Sequence, residues 1–290
     1  MTGLDRTQYL GSADAASACG VSPWSSPFQT YLFKVGDETE RPSSLPMRAG
    51  MFLQPFIASE FELETGLTCH SPEQHFVHPD HPFIQCHTDY LTAEGGETVV
   101  VECKHSGRYF SDLPIQYHVQ IQQQLACAGL RRAYAAVLFA GNTLKVFEIE
   151  ADEAAQRHII ERMVWLWDCV QQRTPPPVET PEDVRLKWPH DDGDEKVADS
   201  QTLSLLNKLV QARENLKTIE AEKKLLEAQV QSFMSDASYL VDESGARLAT
   251  WKNAKCSKRF DAKRFTQENP DLAECYSVEV EGSRRFTLRG

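Results

Sequence analysis

Residues 87–106 read HTDYLTAEGGETVVVECKHS. Asp89 precedes a short half-polar run, Gly95-Gly96 breaks it, and Val99-Val100-Val101 leads directly into Glu102-Cys103-Lys104. This pattern predicts two strands, near 84–91 and 97–103, joined by a turn at the glycine pair. Three consecutive valines suit a strand buried on both faces. Alternation along a strand puts Glu102 and Lys104 on one face and Cys103 on the other. If the two strands are neighbours, Asp89 lies beside Glu102. Two such carboxylates would hold a hard cation such as Mg²⁺ through oxygen. Lys104 could orient or deprotonate a water, or hold a phosphate oxygen, as in metal-assisted phosphodiester hydrolysis. The same residues also suit a solvated strand edge or a plain ion pair, and by themselves they leave that choice open.

Around this stretch the periodicity alternates between helix and strand. Ser12 is placed to cap a helix over 13–19, and Ser26 one over 27–35 that stops before Gly36. A helix over 50–65 carries Phe52, Phe56, Phe61 and Leu63 and ends at Gly66. A strand at 75–78 precedes the central pair. A helix over 114–128, strands at 133–140 and 143–149, and a helix over 153–172 follow. The fold class is α/β (α+β): a restriction-endonuclease-like core with a central mixed sheet flanked by helices.

Beyond residue 172 the composition changes. Residues 173–200 are rich in proline and acid and read as a linker. Residues 201–235 read as a heptad helix, with one row at Leu205, Ala212, Ile219, Leu226 and Phe233 and a second at Thr202, Leu209, Leu216, Lys223 and Val230. Self-association and packing on its own chain both suit it, since Thr202, Ala212 and Lys223 weaken the seam. Residues 236–290 read as a small basic α+β module: a hairpin turning at Glu243-Ser244-Gly245, a short helix near 261–275 and a last strand at 284–288. Residues 251–290 hold nine Lys/Arg against six Asp/Glu. Lys252, Lys255, Lys258 and Arg259, with Lys263, Arg264, Trp251 and Phe260, suit a surface tracking phosphates, or a solvated helix face.

The whole chain of 290 residues carries a formal charge of −12, with 41% apolar and 25% charged residues. That balance is globular, and it argues against binding nucleic acid by charge alone while leaving room for a local basic channel. No segment is long and apolar enough to span a bilayer, and the N-terminus lacks a signal-peptide pattern. A cytoplasmic location with no membrane partner is expected. The eight cysteines are scattered, which suits reduced thiols and not an Fe–S cluster. His70, His75, His78, His81 and His87 lack a recognised zinc spacing.

Ordered motifs give the chain a resemblance to the lambda-exonuclease-like, YqaJ-type phage recombinase nucleases of the PD-(D/E)xK superfamily. Arg6, then Gly11-Ser12-Ala13-Asp14-Ala15 and Gly20-Val21-Ser22-Pro23-Trp24, resemble the opening motif. Gly50 through Glu62 resembles the second, and His81-Pro82-Phe83-Ile84 precedes Asp89 as in the family. Glu102-x-Lys104 and the glutamine-bearing Ile115–Gln122 follow, and Leu248–Lys252 with Arg259-Phe260-Asp261 resembles the tail of longer members.

The resemblance implies a 5′→3′ exonuclease that degrades one strand of linear double-stranded DNA, leaving 3′ overhangs for a single-strand annealing protein in phage-type recombination. It implies a phage or prophage origin in a bacterial host, and a homo-oligomeric ring, often a trimer, around DNA. A structure-specific endonuclease and a catalytically inactive DNA-end-binding scaffold are the alternatives. By residue, it implies that Asp89, Glu102 and the carbonyl of Cys103 hold Mg²⁺, with Mn²⁺ able to substitute. Lys104 serves the nucleophilic water, Gln120 positions the site, and Arg6 and Ser12 lie near a 5′-phosphate pocket. Two positions depart from the pattern. Gln54 stands where the family has Glu before the proline, with Glu60 or Glu62 as substitutes on the same helix, and Thr88 stands where it has proline. Trp24 and Phe28 suit base stacking or core packing, and His105 a substrate contact.

Overall fold

The computed structural model describes residues 5–38, 43–70, 72–280 and 282–288. The chain divides into two compact units, Met1–Trp188 and Pro189–Gly290. In chain order the first contains α1 (Ser12–Ala18), α2 (Pro27–Val35), α3 (Leu45–Thr65), β1 (Gln74–Val77), β2 (Gln85–Thr88), β3 (Tyr90–Glu94), β4 (Glu97–Ser106), α4 (Ile115–Ala128), β5 (Arg132–Phe139), β6 (Thr143–Glu150), α5 (Glu153–Gln171) and α6 (Pro181–Lys187). A 3-10 turn, Arg6–Gln8, precedes α1.

The glycine pair sets the register of the centre. Gly95 and Gly96 have φ of +61° and +85°, the left-handed conformation that a two-residue hairpin turn needs at both central positions. Glu94 therefore pairs with Glu97 and Tyr90 with Val101. The sheet runs β3-β4-β5-β6, with β4 and β5 parallel and the other pairs antiparallel. It is the expected mixed sheet.

Both faces of β4 are covered. Val99, Val101 and Cys103 pack on one side with Ile57, Ala58 and Phe61 of α3. Val100 packs on the other with Ile121 and Leu125 of α4. All three valines are fully buried, each worth roughly 1.5–3 kcal/mol. The face of Val100 is also that of Glu102 and Lys104, so the two charges look toward α4.

Several boundaries differ from the sequence expectation. The residue before α1 is Gly11, whose N–H donates to Asp14 Oδ2 at 2.9 Å, so Ser12 begins the helix and does not cap it. Ser26 does cap α2. The third helix starts at Leu45, capped by Ser44, and its buried face is Ile57, Ala58 and Phe61, leaving Phe52, Phe56 and Leu63 exposed. Position 89 interrupts the expected 84–91 strand. β2 pairs with β1 in a separate two-stranded sheet, and β3 enters the central one. Within the stretch expected as linker, α6 is held by a capping box of Thr180 and Asp183, and Asp183 is buried against Ser26 Oγ at 2.6 Å.

The second unit holds α7 (Ser200–Met234), a hairpin of β7 (Tyr239–Val241) and β8 (Arg247–Thr250), and two short helices, α8 (Ala262–Glu268) and α9 (Pro270–Cys275). Asn269-Pro270 splits what the sequence suggested as one helix. Residues 282–288 are irregular, so the last strand expected there is absent.

Candidate active site

The break between β2 and β3 leaves Asp89 at the open corner of the sheet. Asp89 Oδ2 accepts the Cys103 N–H at 2.8 Å, which fixes it beside Glu102. In an antiparallel strand the N–H and C=O of one residue point to the same edge. The carbonyl of Cys103 therefore faces the corner that holds Asp89, while its thiol is buried.

Glu102 is buried, and three side chains hold it. Lys104 Nζ lies 2.6 Å from Oε1, Gln120 Nε2 donates to the same oxygen at 2.6 Å, and Gln124 Nε2 donates to Oε2 at 2.8 Å. Gln120 Oε1 also accepts from Lys104 Nζ at 3.0 Å. Tyr117 covers the lysine, its ring centre 5.3 Å from Nζ. The spacing 117, 120, 124 lies on one stripe of α4.

The adjoining glutamines explain how α4 can be both polar and buried. Gln123 and Gln124 donate to the carbonyls of Gln85 and His87, and Gln122 donates to the carbonyl of Glu150. These amides bond backbone groups at the edge of β2 and the end of β6, as buried carbonyls require.

The electrostatics are one-sided. Burial, and then the Glu102 carboxylate, push the Asp89 carboxyl up to about 8, although Lys104 and the Cys103 N–H act the other way. Burial works against the Lys104 ammonium, but Glu102 and Asp89 outweigh it and raise its pKa. Two acids thus face one lysine. Among the described residues no group of three or more His, Cys, Asp or Glu side chains is placed to hold a metal ion. The oxygen set that remains, two carboxylates and the Cys103 carbonyl, fits a hydrated hard cation. Gln124 Oε1, on the amide that binds Glu102, is buried with no hydrogen-bond partner, which suits contact with a water.

Gln54 reaches this centre: its Nε2 donates to Asp89 Oδ1 at 2.7 Å. It shares a helical face with Ile57, Ala58 and Phe61. Glu60 falls off that face, and its side chain makes no hydrogen bond or ion pair with the described residues. Glu62 Oε1 instead accepts the Cys69 N–H at 2.6 Å. Among the described residues only Gln54 of this helix bonds to Asp89.

Arg6 and Ser12 belong to a different centre. Lys34 is buried there, its Nζ donating to the carbonyls of Arg6 and Tyr9, both at 2.6 Å, and pairing with Asp14 Oδ2 at 2.8 Å. Arg6 lies over the Phe33 ring at 5.9 Å, and the Ser12 hydroxyl has no hydrogen-bond partner among the described residues. Phe28 is buried, whereas Trp24 is exposed with its ring centre 6.0 Å from Tyr117. In the second unit, Lys252 stacks on Tyr239, and Lys255, Lys258 and Arg259 are exposed on an irregular stretch, not a helix face.

Comparison with known proteins shows what this part of the chain is similar to. Residues 4–131 match the YqaJ-like viral recombinase domain. The matched residues run from the Arg6 turn through α4, so Asp89, Glu102, Lys104, Gln120, Gln124, Gln54 and the Lys34 centre all fall within it. An uncharacterized protein, YqaJ, of Bacillus subtilis (strain 168) is 28% identical over 301 residues, covering 99% of this chain and 92% of that protein. An alkaline exonuclease from Laribacter hongkongensis shares the fold, with a TM-score of 0.50 and 16% identity over 58% of this chain and 90% of its own. A phage-related exonuclease from Haemophilus somnus 129PT aligns with a TM-score of 0.46 and 12% identity over 57% and 94% of the two chains.

Sequence reasoning missed Gln124, Tyr117 and Lys34. The first two were detectable as helical neighbours of Gln120. Lys34 gave no signal, because its partners are backbone carbonyls and an aspartate twenty residues earlier.

Proposed function

We propose that this protein is a Mg²⁺-dependent 5′→3′ exonuclease acting on linear double-stranded DNA and leaving 3′ overhangs for an annealing partner. The observation that carries the reading is the convergence of Asp89, Glu102, Lys104 and Gln120 inside the recombinase domain. Asp89, Glu102 and the Cys103 carbonyl would hold the cation, with Mn²⁺ able to substitute. When bound, such a cation polarises the scissile phosphate and makes water a better nucleophile.

The remaining work falls to the chain itself. Lys104, kept as an ammonium by its two carboxylates, suits donation to a phosphate oxygen as negative charge builds during in-line attack. That role fits better than removing a proton from water. Gln120 bonds Lys104 and Glu102 together and so limits the directions the ammonium can take. Gln124 fixes the second Glu102 oxygen. Arg6 and Ser12 would receive the 5′-phosphate, with Lys34 holding the turn that presents Arg6. Residues 1–172 form the nuclease domain in this reading, and 236–290 an accessory basic module.

Gln54 favours one other reading, an end-binding scaffold without activity, because the bond to Asp89 is made by an amide where a third acid is usual. Incubation with 5′-phosphorylated linear duplex, circular duplex and Mg²⁺ tests both. Digestion of the linear DNA alone supports the exonuclease, and cutting of the circle makes the protein an endonuclease. If neither DNA is cut and Lys104→Ala binds ends as well as the parent, the catalytic reading fails.

A further inference from the structure

The 35-residue helix α7 has a single buried residue, Met234, at its end. Both heptad rows are apolar at most positions, yet Leu216, Ile219, Leu226 and Phe233 are 56%, 61%, 54% and 80% exposed. An apolar seam of about 50 Å, still exposed although Ala249, Thr250 and Trp251 border its C-terminal half, is a surface that ordinarily binds something. The charges flanking the seam say what fits it.

We infer that α7 pairs with α7 of a second copy of this chain, antiparallel, with the symmetry axis between Leu216 and Ile219. In that register Leu216 faces Ile219 of the second copy, and Leu209 faces Leu226. The weak seam positions meet suitable partners: Thr202 faces Phe233, and Lys223 faces Ala212. The small residue leaves room for the lysine stem. The Lys223 ammonium lies 3.6 Å from Glu227 of its own helix, at the flank of the seam, so it stays in water.

The flanking charges select the direction. Antiparallel pairing sets Arg213 beside Glu220 of the second copy, twice by symmetry. Neither side chain has an ion pair or hydrogen bond within its own chain among the described residues. A parallel pair would instead oppose Lys208 to Arg213 and Glu222 to Glu227, both like-charged. The acid and base order along α7 therefore complements its own reverse and repels its parallel copy.

Cross-linking of the full chain tests this in a background of Cys256→Ser and Cys275→Ser, which removes the two exposed thiols. A Leu216→Cys chain mixed with an Ile219→Cys chain of different tag length should form mixed disulfide dimers under mild oxidation, while neither alone does so. Dimers of either variant alone overturn the antiparallel register. No dimer in any mixture overturns pairing and leaves α7 to its own chain. Arg213→Glu, an exposed change that spares the seam, should slow cross-linking about tenfold, and adding Glu220→Arg to the same chain should restore it. An unchanged rate with Arg213→Glu overturns the charge argument. DNA cleavage is not read in these experiments, so their failure and that of the nuclease reading are separable.

Discussion

Two lysines in the first unit, Lys34 buried and Lys104 half-buried, each sit against a carboxylate, and their surroundings drive them in opposite directions. Lys34 meets one acid, Asp14, and two backbone carbonyls. Burial dominates there and lowers its pKa. Lys104 meets Glu102 directly, with Asp89 close behind, and the two acids raise its pKa against burial. The first centre is balanced: Lys34 and the nearby Arg6 carry the positive charges, Asp14 and Asp5 the negative. The second sets two carboxyl groups against one ammonium, and the crowding shows as a proton that Asp89 keeps up to about pH 8. A balanced buried pair has no further use for a ligand and serves to hold a turn. An unbalanced one stores repulsion that a cation can relieve, which is why strongly displaced carboxyls mark functional centres.

Removing Lys104 gives the sharpest separation of the two centres. In the nuclease reading, Lys104→Ala lowers cleavage of linear duplex by about 10²–10³-fold, as for loss of one donor to a developing oxyanion. A digestion time course at saturating Mg²⁺ measures it, and cleavage within a few fold of the parent would put Lys104 outside the chemistry. Lys34→Met removes the counterpart pair. It leaves Asp14 and two carbonyls without their donor and should cost about 3 kcal/mol of stability, at the lower end for a broken buried pair. Denaturant titration measures that loss. A loss under 1 kcal/mol would mean that water replaces the ammonium, and the centre would not be structural.

The fold was largely readable before the structure because β4 and its neighbours obey strong local rules. The glycine pair set the hairpin, the valine run set a strand covered twice, and α4 and α5 appeared at nearly their observed bounds. What escaped reading was decided by contacts between distant segments. Asp89 breaks a strand expected to be continuous because its side chain bonds the neighbouring backbone. Asp14 takes the capping role expected of Ser12. At the site, strand alternation put Glu102 and Lys104 on one face and the family resemblance singled out Asp89 with them, whereas Gln124 and Lys34 depend on which carbonyls and carboxylates come near them in three dimensions.

A third test concerns the stored repulsion itself. The Asp89 carboxyl is raised from its ordinary value of 3.8 to about 8. The folded protein therefore holds a proton that the unfolded chain releases between those values. Stability from this group is fully present below about pH 4 and is lost as pH rises to about 8. In EDTA, Asp89→Asn should remove that dependence and raise the melting temperature at pH 8 relative to the parent. The gain should be at least about 1 kcal/mol, since each unit of displacement is worth about 1.4 kcal/mol. It should abolish cleavage at the same time. Parallel melting curves for parent and variant between pH 5 and pH 8 would show that the corner carries no excess charge.

Gln54→Glu acts on the same balance from the other side, and its effect should be the smallest. The amide now donates to Asp89 Oδ1 at 2.7 Å, and a glutamate there would turn this donor into a third carboxylate. Without a cation the change adds repulsion at an already overcharged corner, so the melting temperature in EDTA should fall. With Mg²⁺ the added oxygen ligand and charge should lower the half-saturating Mg²⁺ concentration by about tenfold, the modest end of effects for groups supporting a metal centre. The two readouts must move in opposite directions. If the Mg²⁺ requirement is unchanged while stability falls, Gln54 is a structural brace for Asp89, and the missing third acid does not limit Mg²⁺ binding.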